Sequence, residues 1–173
     1  MFGVSLKAAV RGLSMTGAAL AVIGAGLTWA PSEAAAQKNH EITVTVTRFK
    51  ALDRADELSQ GDYFARVTIN GKAKATDVIS DKKEVSPKNW ELSTSVPPGV
   101  HKVKLELIDK DLSVDDPIDI NRVANKRDLD FTVDTNSCKI EGFSQDYKCG
   151  ATITRGGGEN KKADISFKVT VKK

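Results

Sequence analysis

Cysteine is scarce: Cys138 and Cys149 are the whole supply in 173 residues. Two thiols cannot complete a structural zinc site without nearby histidine, and neither His40 nor His101 lies near them in sequence. Those two are also the chain's entire histidine content. No Gly-x-Ser-x-Gly elbow, zinc-binding helix motif or phosphate loop occurs, so the usual signatures of hydrolases and nucleotide-using enzymes are missing. A pair of carboxylates could in principle cleave a glycoside, but the chain is small for a glycosidase with its own cleft. An excess of one charge is missing too. With 26 Lys and Arg against 23 Asp and Glu, the net charge is +3, which argues against a dedicated nucleic-acid binder. Beyond the first 36 residues no stretch sustains a helical period. No internal repeat and no low-complexity segment is found there.

The amino-terminal stretch has its own pattern. Lys7 and Arg11 form a basic start, Leu13 to Trp29 is apolar and small, and Ala34-Ala-Ala36 offers small residues before Gln37. That is the layout of a secretory signal peptide. An uncleaved anchor is the competing account, but the segment is short and glycine-rich for a membrane span. No cysteine stands at the cleavage point, so a lipoprotein is not indicated. The expected domains are therefore residues 1–36 as signal peptide and 37–173 as one β-domain, exported to the periplasm or secreted. Removing Lys7, Arg11 and Glu33 takes away one net positive charge, so +3 becomes +2 for the mature chain. In an exported protein Cys138 and Cys149, so close in sequence, are expected to form a disulfide.

Nearly every mature segment reads as strand. Glu41 to Thr47 alternates β-branched apolar and polar residues, as a half-buried strand does. Tyr63 to Ile69 alternates as well, and Asn70-Gly71 is a strong two-residue hairpin signal before a return strand from Lys72 to Ile79. Asp81 to Lys88 is charged and reads as loop. Trp90 to Val96, His101 to Ile108, Arg127 to Asp134 and Asp164 to Val171 are further alternating runs, with Pro97-Pro-Gly99 as a turn. Cys138 to Phe143 and Lys148 to Thr154 are expected to pair as a hairpin closed by the disulfide, and Gly156-Gly-Gly158 reads as a flexible loop. About eight strands with closely spaced turn signals predict an all-β, antiparallel sandwich.

Two acidic clusters interrupt this pattern. In Ile108-Asp-Lys-Asp-Leu-Ser-Val-Asp-Asp-Pro-Ile-Asp-Ile120, five carboxylates fall at Asp109, Asp111, Asp115, Asp116 and Asp119. Asp-x-Asp on a loop suits a hard cation with oxygen ligands, calcium above all. A solvated turn is the plainer account, because aspartate is a common turn residue. An EF-hand is excluded: counted from Asp109, its sixth and twelfth positions are Val114 and Ile120 rather than Gly and Glu. The second cluster, Asp53 to Tyr63, holds Asp56 and Asp62 on either side of a glycine-containing turn. Leu58, Leu112 and Val114 stand at the loop tips and could insert into a membrane, although single exposed apolar residues are ordinary. Lys72, Lys74, Lys102 and Lys104 could face phosphate groups, but solvated strand faces are the simpler account.

Taken together, these elements resemble the C2 domain family. The order is strand, Asp56-x5-Asp62-Tyr63, strand, Asn-Gly, strand, Pro87-Lys-Asn-Trp90, strand, and then Asp109-x-Asp111 with Asp115 and Asp116. The resemblance covers Glu41 to Ile120 and leaves the cysteine-bearing tail outside. It departs in four places: no proline precedes Tyr63, one residue is inserted before Trp90, the final Asp of the third loop comes a residue or two earlier than the commonest spacing, and the usual Ile-Gly exit is Ile118-Asp119. The resemblance implies an eight-stranded Greek-key β-sandwich of the secreted bacterial variety and no enzyme activity. It also implies calcium held between two loops by Asp56, Asp62, Asp109, Asp111 and one or both of Asp115 and Asp116. As partner it implies anionic phospholipid or a cell-envelope protein; a structural or adhesive sandwich without functional calcium is the alternative.

Cleavage is expected between Ala36 and Gln37, and intact-mass measurement on exported protein checks it. A mature chain that keeps Trp29 would identify an anchor instead.

Overall fold

The computed structural model describes residues 37–53 and 61–173. The predicted signal peptide lies outside the described residues. Twelve strands form among the described residues: β1 (His40–Ala51), β2 (Tyr63–Ile69), β3 (Lys72–Ala75), β4 (Glu84–Val85), β5 (Glu91–Val96), β6 (Val100–Asp109), β7 (Asp116–Ile118), β8 (Leu129–Asp134), β9 (Lys139–Glu141), β10 (Tyr147–Lys148), β11 (Thr152–Gly156) and β12 (Ala163–Lys172). They build two antiparallel sheets. One has the order β11-β12-β1, with β5 and β4 pairing successive parts of β1; the other runs β10-β9-β8-β6-β2-β3, with β7 beside the end of β6. The sandwich expected from the alternation is present. The count exceeds eight because β4, β7 and β10 are only two or three residues long, too short to show a period.

Strand β1 crosses the centre of its sheet and shows how alternation is kept over twelve residues. Ile42, Val44 and Val46 are buried, and so are Phe49 and Ala51. The parity changes at Thr47, where the β1–β12 register shifts between Val46 and Arg48. The extra residue of a bulge turns the chain so that both halves face one core. Thr47 uses its hydroxyl to donate to the Ser166 carbonyl at 3.1 Å. Opposite the bulge, the Val46 amide donates to the Trp90 carbonyl at 2.9 Å.

The two inner faces share two aromatic nests. Phe49 stacks on Trp90 with ring centroids 5.2 Å apart, and meets Tyr63 edge-on at 5.1 Å. Phe131, Phe143 and Phe167 form the second. Trp90 is buried, which explains why a large apolar residue ends the Pro87-Lys-Asn segment.

The far end is tied by turns. Asn70 and Gly71 both take positive φ, 49° and 81°, as the two central residues of a type I′ hairpin turn must. His101 is buried. Its Nε2 donates to the Pro97 carbonyl at 2.8 Å, so its Nδ1 accepts from Nδ2 of the Asn70 side chain at 2.8 Å. The histidine therefore clips one turn to another. Cys138 and Cys149 are joined as a disulfide with Cα atoms 5.3 Å apart. The hairpin it closes is shorter than expected: β9 pairs with β10, while β11 leaves to join β12 in the other sheet.

Cys138→Ala should cost about 3 kcal/mol, from the entropy of a loop of roughly a dozen residues. Chemical denaturation of native and variant protein checks this, alongside a thiol titration that should find no free sulfhydryl in the native protein.

Candidate functional site

Strand register decides whether the two acidic clusters meet. Tyr63 pairs with Asp109 across β2 and β6. Asp109 pairs with Asp116 across β6 and β7. Ala51 pairs with Ala163 across β1 and β12. The loops that follow β1, β6 and β11 therefore open at the same end of the sandwich. There the Asp62 amide donates to Asp109 Oδ1 at 2.7 Å, and the Lys110 amide donates to the Asp62 carbonyl at 2.6 Å. Asp62 Oδ1 accepts from the Asp81 amide at 2.9 Å. Asp109 is only 1% exposed, held at the rim of the core by these contacts.

The remaining carboxylates of the stretch meet lysines. Lys110 pairs with Asp115 at 3.0 Å. Lys161, from the loop before β12, pairs with Asp116. Asp116, acting through that hydrogen bond and its charge, raises the Lys161 pKa above its ordinary value; Asp111 and Asp109 add to the effect, and partial desolvation opposes it. The structure thus gathers Asp62, Asp109, Asp111, Asp115 and Asp116 at one end. Asp56 and Leu58 lie outside the described residues. The donor chemistry fits a hard cation, since every side-chain ligand on offer is a carboxylate oxygen. In the arrangement described, no three His, Cys, Asp or Glu side chains among the described residues converge as a metal group. Lysines hold Asp115 and Asp116, and backbone amides occupy an oxygen each of Asp62 and Asp109. Leu112 is fully exposed and Val114 largely so, at the tip of the same loop.

Asp119, the last carboxylate of the stretch, does different work. It is fully buried. Its Oδ1 accepts from the Asn121 amide at 2.9 Å, and its Oδ2 from the amides of Gly158 and Glu159 at 2.8 and 2.6 Å. Its own amide donates to the Lys161 carbonyl at 2.8 Å. The triple-glycine loop is therefore not the free segment its composition suggests. A Cβ on Gly157 would stand 2.2 Å from the Asp119 carbonyl oxygen, so glycine is required there for close backbone approach. The sequence offered one sign of this, the replacement of the expected Ile-Gly exit by Ile118-Asp119. For Lys161 it offered none, because 45 residues separate it from Asp116.

No protein-family model matches the chain, and neither does any curated protein. Solved structures do match in fold. An isolated C2 domain aligns with a TM-score of 0.52 at 13% identity, over 78% of this chain and 99% of that one. The tandem C2 domains of extended synaptotagmin 2, calcium bound, align with a TM-score of 0.52 at 11% identity, over 78% of this chain and 46% of that one. A human cytosolic phospholipase A2 (GIVD) gives a TM-score of 0.51 at 15% identity over 79% of this chain. This chain spans only 18% of that enzyme's length. The fold is thus that of C2 domains: all-β, with two antiparallel sheets.

Asp119→Ala should leave three part-buried amides without this acceptor and cost about 3 kcal/mol. Urea denaturation checks this; a loss below about 0.5 kcal/mol, typical of surface positions, would contradict the clamp.

Proposed function

We propose that the chain is an exported, non-enzymatic C2-fold module that docks onto anionic phospholipid through its acidic loop end, in a calcium-dependent way. The observation that carries this reading is the coexistence of five gathered carboxylates with the exposed Leu112 and Val114 on one loop system. Against those carboxylates stand the ammonium groups of Lys110 and Lys161, so the end remains net negative. A negative end is repelled by an anionic surface. Added positive charge is what docking needs, and a divalent cation taken by carboxylate oxygens supplies it. Asp62, Asp109, Asp111, Asp115 and Asp116 are the described residues that would hold it; Asp56, the further ligand expected from the sequence, lies outside the described residues. Outside the cell calcium is plentiful, and extracellular calcium modules work with dissociation constants of about 10⁻⁴ to 10⁻³ M. Once the charge is reversed, Leu112 and Val114 are placed to enter the interfacial region of a bilayer. No helix among the described residues is long and apolar enough to cross a membrane.

The ion pairs of Asp115 and Asp116 favour a second reading. A sandwich that neutralises its own acidic end could serve as a structural or adhesive surface without calcium.

Sedimentation with phosphatidylcholine–phosphatidylserine vesicles separates the two. Binding is expected in millimolar calcium, absent in chelator, and reduced about tenfold by Leu112→Asp. No binding in either condition would favour the structural sandwich. Independently, millimolar calcium should raise the melting temperature, since an ion bound only by the folded state stabilises it, by about 2.7 kcal/mol at a hundred times its dissociation constant. Magnesium should do much less. Asp109→Asn and Asp62→Asn should each remove most of the rise, while Glu41→Gln, at the other end of β1, should not.

A further inference from the structure

The loop that carries Lys161 is built to hold that residue in place. Lys161 has a φ of +56°, in the left-handed region that non-glycine residues rarely take. Its carbonyl accepts from the Asp119 amide, and the Ala163 amide donates to the Asp119 carbonyl at 2.8 Å. Asp119 in turn binds the amides of Gly158 and Glu159. The backbone on both sides of Lys161 is thereby fastened to the acidic stretch. From that position the ammonium reaches Asp116, which lies directly across the ladder from Asp109. Lys110 differs: it sits on the acidic stretch itself, is more exposed, and pairs with Asp115 instead.

We propose that Lys161 is an internal cation that competes with calcium for the acidic loop end and thereby sets the weakness of its calcium affinity. The proposal rests on the calcium reading above. An ammonium on Asp116 and a divalent ion among Asp109, Asp111 and Asp116 cannot share those carboxylates without mutual repulsion, so calcium must displace the lysine or bind beside it at a cost. The carboxylates keep a partner throughout, and the loop end responds only where calcium is abundant.

Calorimetric titration of the protein with calcium chloride, on wild type, Lys161→Gln and Lys161→Arg, tests this. Glutamine keeps a hydrogen-bond donor for Asp116 but removes the charge. Its calcium affinity should rise on the order of tenfold, while arginine, which keeps the charge, should stay within about twofold of wild type. In chelator the Gln variant should melt below wild type, and in millimolar calcium the gap should close. If Lys161→Gln does not fold in chelator, Lys161→Met is titrated after folding in calcium and dialysis. Equal, measurable affinities in wild type and the uncharged variants would overturn the competition and leave the calcium reading standing. Absence of calcium heat in every variant would overturn both.

Discussion

The antiparallel pairing of β2 with β6 is the constraint on which the site depends. It sets Tyr63 opposite Asp109 and so brings Asp62 to the rim where the acidic stretch after β6 begins. The register is not free to slip. Ala65, Val67 and Ile69 on β2 and Val103, Leu105 and Leu107 on β6 are buried, and a shift by one residue would turn each of these sets toward solvent. Tyr63, fully buried against Phe49, anchors the same point to the other sheet. The carboxylates thus stand where core packing puts them, whatever their mutual repulsion.

That repulsion is met by the chain's own groups. Backbone amides serve Asp62, Asp109 and Asp119, and lysines serve Asp115 and Asp116. The partners differ in depth. Asp119 is sealed in a cage of amides and fixes structure. Asp116 and Lys161 are both more than a third exposed, where ion pairs are weak and exchangeable. One short stretch of sequence therefore contains a structural carboxylate and exchangeable ones side by side.

Much of the fold could be read from the sequence because alternation is a direct imprint of burial. The runs Tyr63 to Ile69 and Trp90 to Val96 became strands close to their expected bounds. What escaped had physical reasons. Thr47 carries the bulge but looks like Thr43 and Thr45 around it, so β1 was expected to end there, short of its true end at Ala51. Strands β4, β7 and β10 are pairings rather than patterns, visible only once the partner strand is placed. Asp119 is the same residue type as its neighbours in the acidic stretch, and only burial separates it from them. The gathering of Asp62 with Asp109 was legible through the resemblance to C2 domains. Lys161, which pairs with Asp116, was not, because ion pairs between distant loops leave no periodic trace.

The tight seat of Gly157 against Asp119 bears on the entropy of binding. A loop that must become ordered to receive a ligand subtracts that ordering from the affinity. Here the segment from Gly157 to Ala163 is already fastened by Asp119, through amides on one side and a short run of bridging hydrogen bonds on the other. Those backbone contacts leave out the four-carbon stem of Lys161, which reaches Asp116 from the fastened loop. Exchange of its ammonium for another cation would then be a local rotamer event, fast and nearly free of backbone rearrangement, on a platform whose shape is settled at the moment of folding.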